Sequence, residues 1–135
     1  MSNIENVRII PRKLISDSRG WFLKAITGKE DNLPSYTGEV YLTMGTPGQS
    51  KGGHYHPIAN EWFTLIEGKA LLKLNDIETG ERKDIELSLE AAITVFIPHN
   101  VAHQIDNLGD NNFILLAYTD QLYDPSDTIA YHIDN

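Results

Sequence analysis

From Val7 to Thr119 the chain is built almost wholly of short apolar runs with a two-residue alternation, broken by glycine, asparagine and aspartate. That pattern restricts the fold more than any other feature. "VRIIPRKLIS" is β-branched and apolar, and "DSRG" turns it into "WFLKAIT". "EVYLTMG" is a further strand. "EWFTLIEGKALLKLND" reads as a hairpin whose turn, Glu67-Gly68, gains positive φ from the glycine, and "IETGERKDIEL" repeats the device at Thr79-Gly80. "AAITVFIPHNVAHQIDNLGDNNFILLAYT" supplies three strands, broken at Pro98-His99-Asn100 and at Leu108-Gly109-Asp110. Helical periodicity is poor throughout: in "LSLEAAI", Leu87, Leu89 and Ala91 alternate as well as they wind. Close-set strands of this kind make a β-sandwich or barrel, so the predicted class is all-β. A chain of 135 residues has room for a single domain, residues 1–135, with roughly ten such strands.

Charge and composition exclude several functions. A net charge of −8 with no run of Lys and Arg argues against nucleic-acid binding, although a local basic pocket for an anionic small molecule stays open. With no cysteine, disulfides and thiolate metal sites are excluded. "MSNIENVRIIPRK" has no apolar signal core, and no apolar stretch approaches a membrane span. A soluble cytoplasmic protein with no membrane partner is therefore expected.

Within this β pattern lies "GQSKGGHYHPIANEWFTLIEG". Residues i and i+2 of a strand share a face, so His54 and His56 project side by side. Glu61 shares a face with Phe63 and Leu65, and His103 with Val101 and Ile105, which turns both polar residues inward. Buried polar groups need partners, and three imidazoles with one carboxylate satisfy one another through a divalent cation.

Gly48, His54, His56, Glu61 and Gly68 at these spacings resemble the first motif of the cupin superfamily, and "PHNVAHQIDN", with Pro98, His103 and Asn107, is similar to the second. Asn100 and Ala92 stand where the second motif has glycines; asparagine tolerates the left-handed region, alanine does not. The resemblance implies a double-stranded β-helix, the cupin jelly-roll barrel. It also implies one divalent transition metal (Zn, Fe, Mn or Ni) held by His54, His56, Glu61 and His103. His99 and His132 read as solvated or rim residues.

The flanks add a second resemblance. "KLISDSRGWFLKA", with Asp17, Arg19, Gly20 and Phe22, is similar to the opening of the dTDP-4-dehydrorhamnose 3,5-epimerase group, whose catalytic histidine matches His54 in "KGGHYH". "YTDQLYDPSDTIAYHI" resembles the tails of cupin enzymes of surface-polysaccharide synthesis, among them nucleotide-sugar 3,4-ketoisomerases. The implied reaction is epimerisation or ketone migration on a nucleotide-linked 4-keto-6-deoxy sugar, which needs a base and a group to hold the enolate oxygen. His54 cannot be both metal ligand and base; the three companion ligands favour the ligand role. His99, Tyr55 and Tyr118 are then the acid/base candidates, and Arg19 and Lys51 the pyrophosphate partners. Trp21 and Trp62 read either as ring-stacking residues or as packing. The alternatives are an Fe(II) cupin dioxygenase acting on a small organic substrate and a non-catalytic sugar-binding cupin. Exposed edge strands and the apolar N-terminal strand predict a homodimer.

Overall fold

The alternation resolves into two facing antiparallel sheets and one detached hairpin. The computed structural model describes residues 2–18, 20–35 and 38–134. In chain order the strands are β1 (Arg8–Pro11), β2 (Ile15–Asp17), β3 (Gly20–Phe22), β4 (Glu39–Gly45), β5 (Ser50–Tyr55) and β6 (Glu61–Glu67). They continue with β7 (Lys69–Asp76), β8 (Arg82–Ser88), β9 (Ile93–Ile97), β10 (Val101–Asp106), β11 (Phe113–Thr119) and β12 (Ile129–Ala130). One sheet is ordered β1-β9-β6-β11-β4 and the other β12-β5-β10-β7-β8, while among the described residues β2 and β3 pair only with each other. Among the described residues, only two 3-10 turns, Asn3–Asn6 and Pro125–Asp127, interrupt the strands, and no helix is long and apolar enough to cross a membrane.

Both sheets turn one face to a shared core. Phe63, Leu65 and Phe113 come from the first sheet, Leu72, Leu74 and Ile105 from the second, and none is more than 3% exposed. Each such side chain contributes roughly 1.5–3 kcal/mol by leaving water. Inward Phe63 and Leu65, and inward Val101 and Ile105, fall where the alternation puts them.

Two expectations need correction. β6 and β7 do not form a hairpin: β6 pairs with β9 and β11, β7 with β8 and β10, so Gly68 carries the chain from one sheet to the other. Its φ is +83°, and a Cβ there would lie 2.5 Å from the Asn112 carbonyl oxygen, so the glycine is required for a corner and not for a two-strand turn. Nor is "VRIIPRKLIS" one strand. After Pro11, which has no N–H to donate, Arg12 bonds the Ala92 carbonyl through its amide, and its guanidinium reaches Thr94, the Ala25 carbonyl and Glu30. These bonds fasten the segment around Ala25 near Thr94, on the outer face of the first sheet. Trp62 is fully buried on that face, with Phe96 at 4.9 Å and Tyr118 at 5.4 Å between ring centroids. Packing, not ring stacking on a ligand, accounts for Trp62; Trp21 on β3 is 51% exposed.

The second sheet is covered by the C-terminal segment. β12 pairs with β5, the Tyr131 amide donates to the Gly53 carbonyl, and the Ile133 amide to Gln104 Oε1. Beneath it lies a buried ion pair, Lys73 with Asp106, whose carboxylate also accepts from Ser50 and Gln104. Within β5, Gly52 has φ +83° where the β5–β10 ladder slips between His103 and Gln104, and a Cβ there would meet the His103 carbonyl oxygen at 2.9 Å. This bulge sets His54 directly opposite His103. Asn100 takes φ +65°, the left-handed conformation that its position demands.

Candidate active site

His54, His56 and His103 converge at one end of the barrel interior. His54 comes from β5, His56 from the residue after it, and His103 from the neighbouring β10; one ring nitrogen from each lies within 4.8 Å of the others. His54 and His103 rings are 4.7 Å apart and nearly perpendicular, and Phe63 sits edge-on to His103 at 5.2 Å. From the opposite sheet Glu61, the first residue of β6, brings Oε1 to 3.0 Å from His56 Nε2 and 3.4 Å from His103 Nε2. Its other oxygen, Oε2, accepts a hydrogen bond of 2.9 Å from the Tyr41 hydroxyl on β4. His56 Nδ1 donates to the Asp127 carbonyl at 2.8 Å.

Two buried atoms in this group have no hydrogen-bond partner: Glu61 Oε1 and His103 Nδ1. Glu61 Oε1 is the more informative. A carboxylate oxygen this deep pairs with His56 when that ring is charged; beside two neutral imidazoles it has no donor, and there it fits a shared cation. Donors about 2.1 Å from one ion lie roughly 3.0–3.4 Å from each other, which matches both separations. His56, whose Nδ1 faces a carbonyl, presents Nε2 toward the same place, the tautomer a ligating histidine needs.

The electrostatics divide the histidines. Burial holds His103 down to about 4, even though Glu61 opposes the shift. Burial and the neighbouring His56 also lower His54. Burial works against the charged form of His56 too, but Glu61 and the Asp127 carbonyl outweigh it, so its pKa is raised. Glu61 is desolvated, yet His56, His103 and Tyr41 hold its pKa below the usual carboxylate range. Tyr41 is pushed well up by burial and by the Glu61 charge, so it stays a phenol.

The cluster opens into a cavity of about 320 Å³ lined by Glu39, Tyr41, His54, His56, Ala59, Glu61 and Thr119, and on the C-terminal side by Gln121, Leu122, Tyr123, Asp124, Asp127 and Thr128. Among the described residues, none that lines the cavity is Lys or Arg. The expected acid/base residues do not line it. Tyr118 points the other way: alternation sends Ala117 and Thr119 inward and stacks Tyr118 on Trp62 outside the sheet. Tyr55, between two inward histidines, likewise faces outward and meets Tyr131 at 6.1 Å. His99 is exposed in the β9–β10 turn, held through its amide and Nδ1 by Asn60 Oδ1. Lys51 is exposed and away from the cavity, Arg19 lies outside the described residues, and His132 is an exposed partner of Asp134. Sequence reasoning missed Tyr41 and Asp127. The signal for Tyr41 was present in "EVYLTMG": Glu39, Tyr41 and Thr43 alternate with Val40, Leu42 and Met44, and it is the polar set that faces inward.

A family model described as the polysaccharide biosynthesis C-terminal domain matches residues 15–131. A UDP-2-acetamido-2,6-beta-L-arabino-hexul-4-ose reductase of Pseudomonas aeruginosa is 28% identical over 116 residues, 86% of this chain and 30% of that protein. This chain thus spans less than a third of that relative's length. The sugar 3,4-ketoisomerase QdtA of Thermoanaerobacterium thermosaccharolyticum, solved with TDP, is 26% identical with a TM-score of 0.74, over 92% of this chain and 87% of that one. A dTDP sugar isomerase of Desulfovibrio desulfuricans superimposes with a TM-score of 0.89 at 18% identity, covering 99% of this chain and 88% of that one, a likeness of fold alone.

Proposed function

The chain belongs to the polysaccharide biosynthesis C-terminal domain family, and on that premise we propose that it is an epimerase or ketoisomerase of a nucleotide-linked 4-keto-6-deoxy sugar. We further propose that one divalent transition metal is held by His54, His56, Glu61 and His103. The observation that carries the metal is Glu61 Oε1, buried beside two imidazoles without a hydrogen bond. Bound there, a divalent ion supplies a Lewis acid for an enolate oxygen.

The chain's own groups complete the reading. A keto group acidifies the protons on its neighbouring carbons, and moving one needs a base and a donor in a water-poor pocket. Tyr41, held as a phenol and hydrogen-bonded to Glu61, lines the cavity as a proton donor. Glu39, from the same strand, lines it too. The acidic wall suits an uncharged sugar ring inside and leaves the diphosphate at the mouth. Elemental analysis of protein prepared without chelator should find close to one transition-metal ion per chain. Finding none would return His54 to the role of base. A specific observation favours that second reading: His54 lines the cavity with a lowered pKa, hence neutral, and makes no ring hydrogen bond among the described residues.

A homodimer in the cytoplasm completes the proposal. Val40, Leu42 and Met44 are 60%, 63% and 49% exposed on edge strand β4, and the detached β2–β3 hairpin exposes Ile15, Trp21 and Phe22. An isolated two-stranded hairpin is marginal in water, so these apolar faces are suited to covering one another across a two-fold axis. Sedimentation velocity should give twice the chain mass; a monomer at tens of micromolar, a concentration on the order of where weak pairs form, would count against the dimer.

A further inference from the structure

The buried carboxylate of Asp127 has no role in the chemistry above, yet its residue is fastened both to the His56 ring and to the backbone just after it. Its Oδ1 accepts the Ile58 amide at 2.8 Å and its Oδ2 the Ala59 amide at 3.0 Å, just beyond the histidine in sequence. Its own carbonyl accepts from His56 Nδ1 at 2.8 Å. The residue ends the 3-10 turn Pro125–Asp127, which Asp124 caps by accepting from the Ser126 amide and hydroxyl. One side chain thus pins the cavity's C-terminal wall to the turn that follows β5, and so places a carbonyl against one nitrogen of one ring.

We propose that Asp127 is the positioning residue that fixes His56 as the Nδ1–H tautomer and aims Nε2 at Glu61 and the cavity. A neutral imidazole carries one proton for two acceptors here, the Asp127 carbonyl 2.8 Å from Nδ1 and Glu61 Oε1 3.0 Å from Nε2, and a carbonyl held fast against Nδ1 keeps the proton there. The carboxylate acts at one remove. Two amide donors hold it, and with it the backbone whose carbonyl meets the ring. A carbonyl at residue 127 survives any substitution, but without the carboxylate no other hydrogen bond among the described residues ties the turn to Ile58 and Ala59, and the next tie is β12 on β5, where Ile129 faces Tyr55. Thr128 Oγ1, at 3.5 Å from the same nitrogen, is too distant to take over. The inference rests on the reading of His56 as a metal ligand, and its test separates the two.

In the full chain labelled with ¹⁵N-histidine, stripped of metal and held well above the histidine titration range, the two ring nitrogens report the tautomer directly. His56 should show a protonated Nδ1 and a bare Nε2. Asp127→Ala should give averaged shifts from mixed tautomers, Asp127→Asn, which keeps one acceptor oxygen, should fall between, and Thr128→Val should leave the pattern unchanged. Zinc affinity, measured by competition with a chromophoric chelator, should fall about 10–100-fold in Asp127→Ala. An unchanged tautomer in Asp127→Ala, or in Asp127→Asn if the alanine variant does not fold, overturns the proposal even if melting temperature drops. If the wild-type chain binds no zinc while the tautomer still shifts, the ligand reading fails and the positioning role stands.

Discussion

Deuterium from solvent is expected at C3 or C5 of a nucleotide-linked 4-keto-6-deoxyhexose incubated with this protein in deuterated water. His56→Ala or His103→Ala should slow that incorporation by about a hundredfold or more. The labelling follows from the chemistry: a proton removed beside a ketone is replaced from solvent when the enolate collapses. The size of the loss follows from electrostatics, since removing one preorganised contact to developing negative charge costs roughly 2.7–4 kcal/mol. Tyr41→Phe tests the other side of the cavity. It strips the donor from Glu61 Oε2, which lies 2.9 Å from the Tyr41 hydroxyl. A hydrogen bond to a charged group contributes about 1.5–3 kcal/mol, so exchange should slow by roughly tenfold to a hundredfold. Tyr118→Phe, on the far side of the sheet, should leave exchange unchanged. Oxygen uptake should be nil. No exchange across several nucleotide-sugars, with oxygen consumed on another substrate, would assign the protein to the dioxygenases; tight nucleotide-sugar binding without exchange would make it a binding module.

The convergence of three histidines and one glutamate was legible in the sequence because strand alternation is a local rule. Glu61 and His103 each sit two positions from inward apolar residues, and His54 and His56 share a face, so that geometry follows from the pleat alone. The acid/base assignments to Tyr55 and Tyr118 broke the same rule. Each lies next to inward residues, so the pleat that brings the histidines in sends both tyrosines out.

Tyr41 was hidden for a different reason. On β4 the apolar residues face out and the polar ones face in, the reverse of an ordinary half-buried strand. Hydrophobic patterning alone therefore turns that strand inside out. The inversion is informative once the fold is known: a polar inner face marks the cavity wall, and an exposed apolar outer face marks a surface that needs a cover. The β6–β7 connection could not be read locally either. A glycine with positive φ serves a tight hairpin and a sheet-to-sheet corner equally well, and only the long-range pairings of β6 with β11 and β7 with β10 distinguish them.

Acid should destabilise the metal-free protein by about 3 kcal/mol between pH 6.5 and 4, and His103 should be the main cause. Its imidazole is 2% exposed, and burial holds its pKa down to about 4, whereas an unfolded histidine titrates near 6.5. Between those values the unfolded chain carries a proton that the folded chain refuses, so stability rises with pH across the window, at about 1.36 kcal/mol per unit of pKa difference. His54, lowered for the same reason, acts in the same direction. His56 does not offset them there. Its pKa is raised in the fold, so its contribution is complete below 6.5 and is lost only as pH rises through its folded value. Glu61, lowered in the fold, keeps its contribution until pH approaches the ordinary carboxylate range and loses it below. Urea unfolding of chelator-treated protein at a series of pH values measures the slope directly. His103→Leu should flatten it, because an apolar side chain in that place has no proton to refuse. A wild-type curve already flat from pH 6.5 to 4.5 would mean that His103 titrates as it does in water, and so is not sealed between Phe63 and Glu61. Zinc should steepen the same curve, since a ligating imidazole must be neutral and protons expel the ion as they arrive.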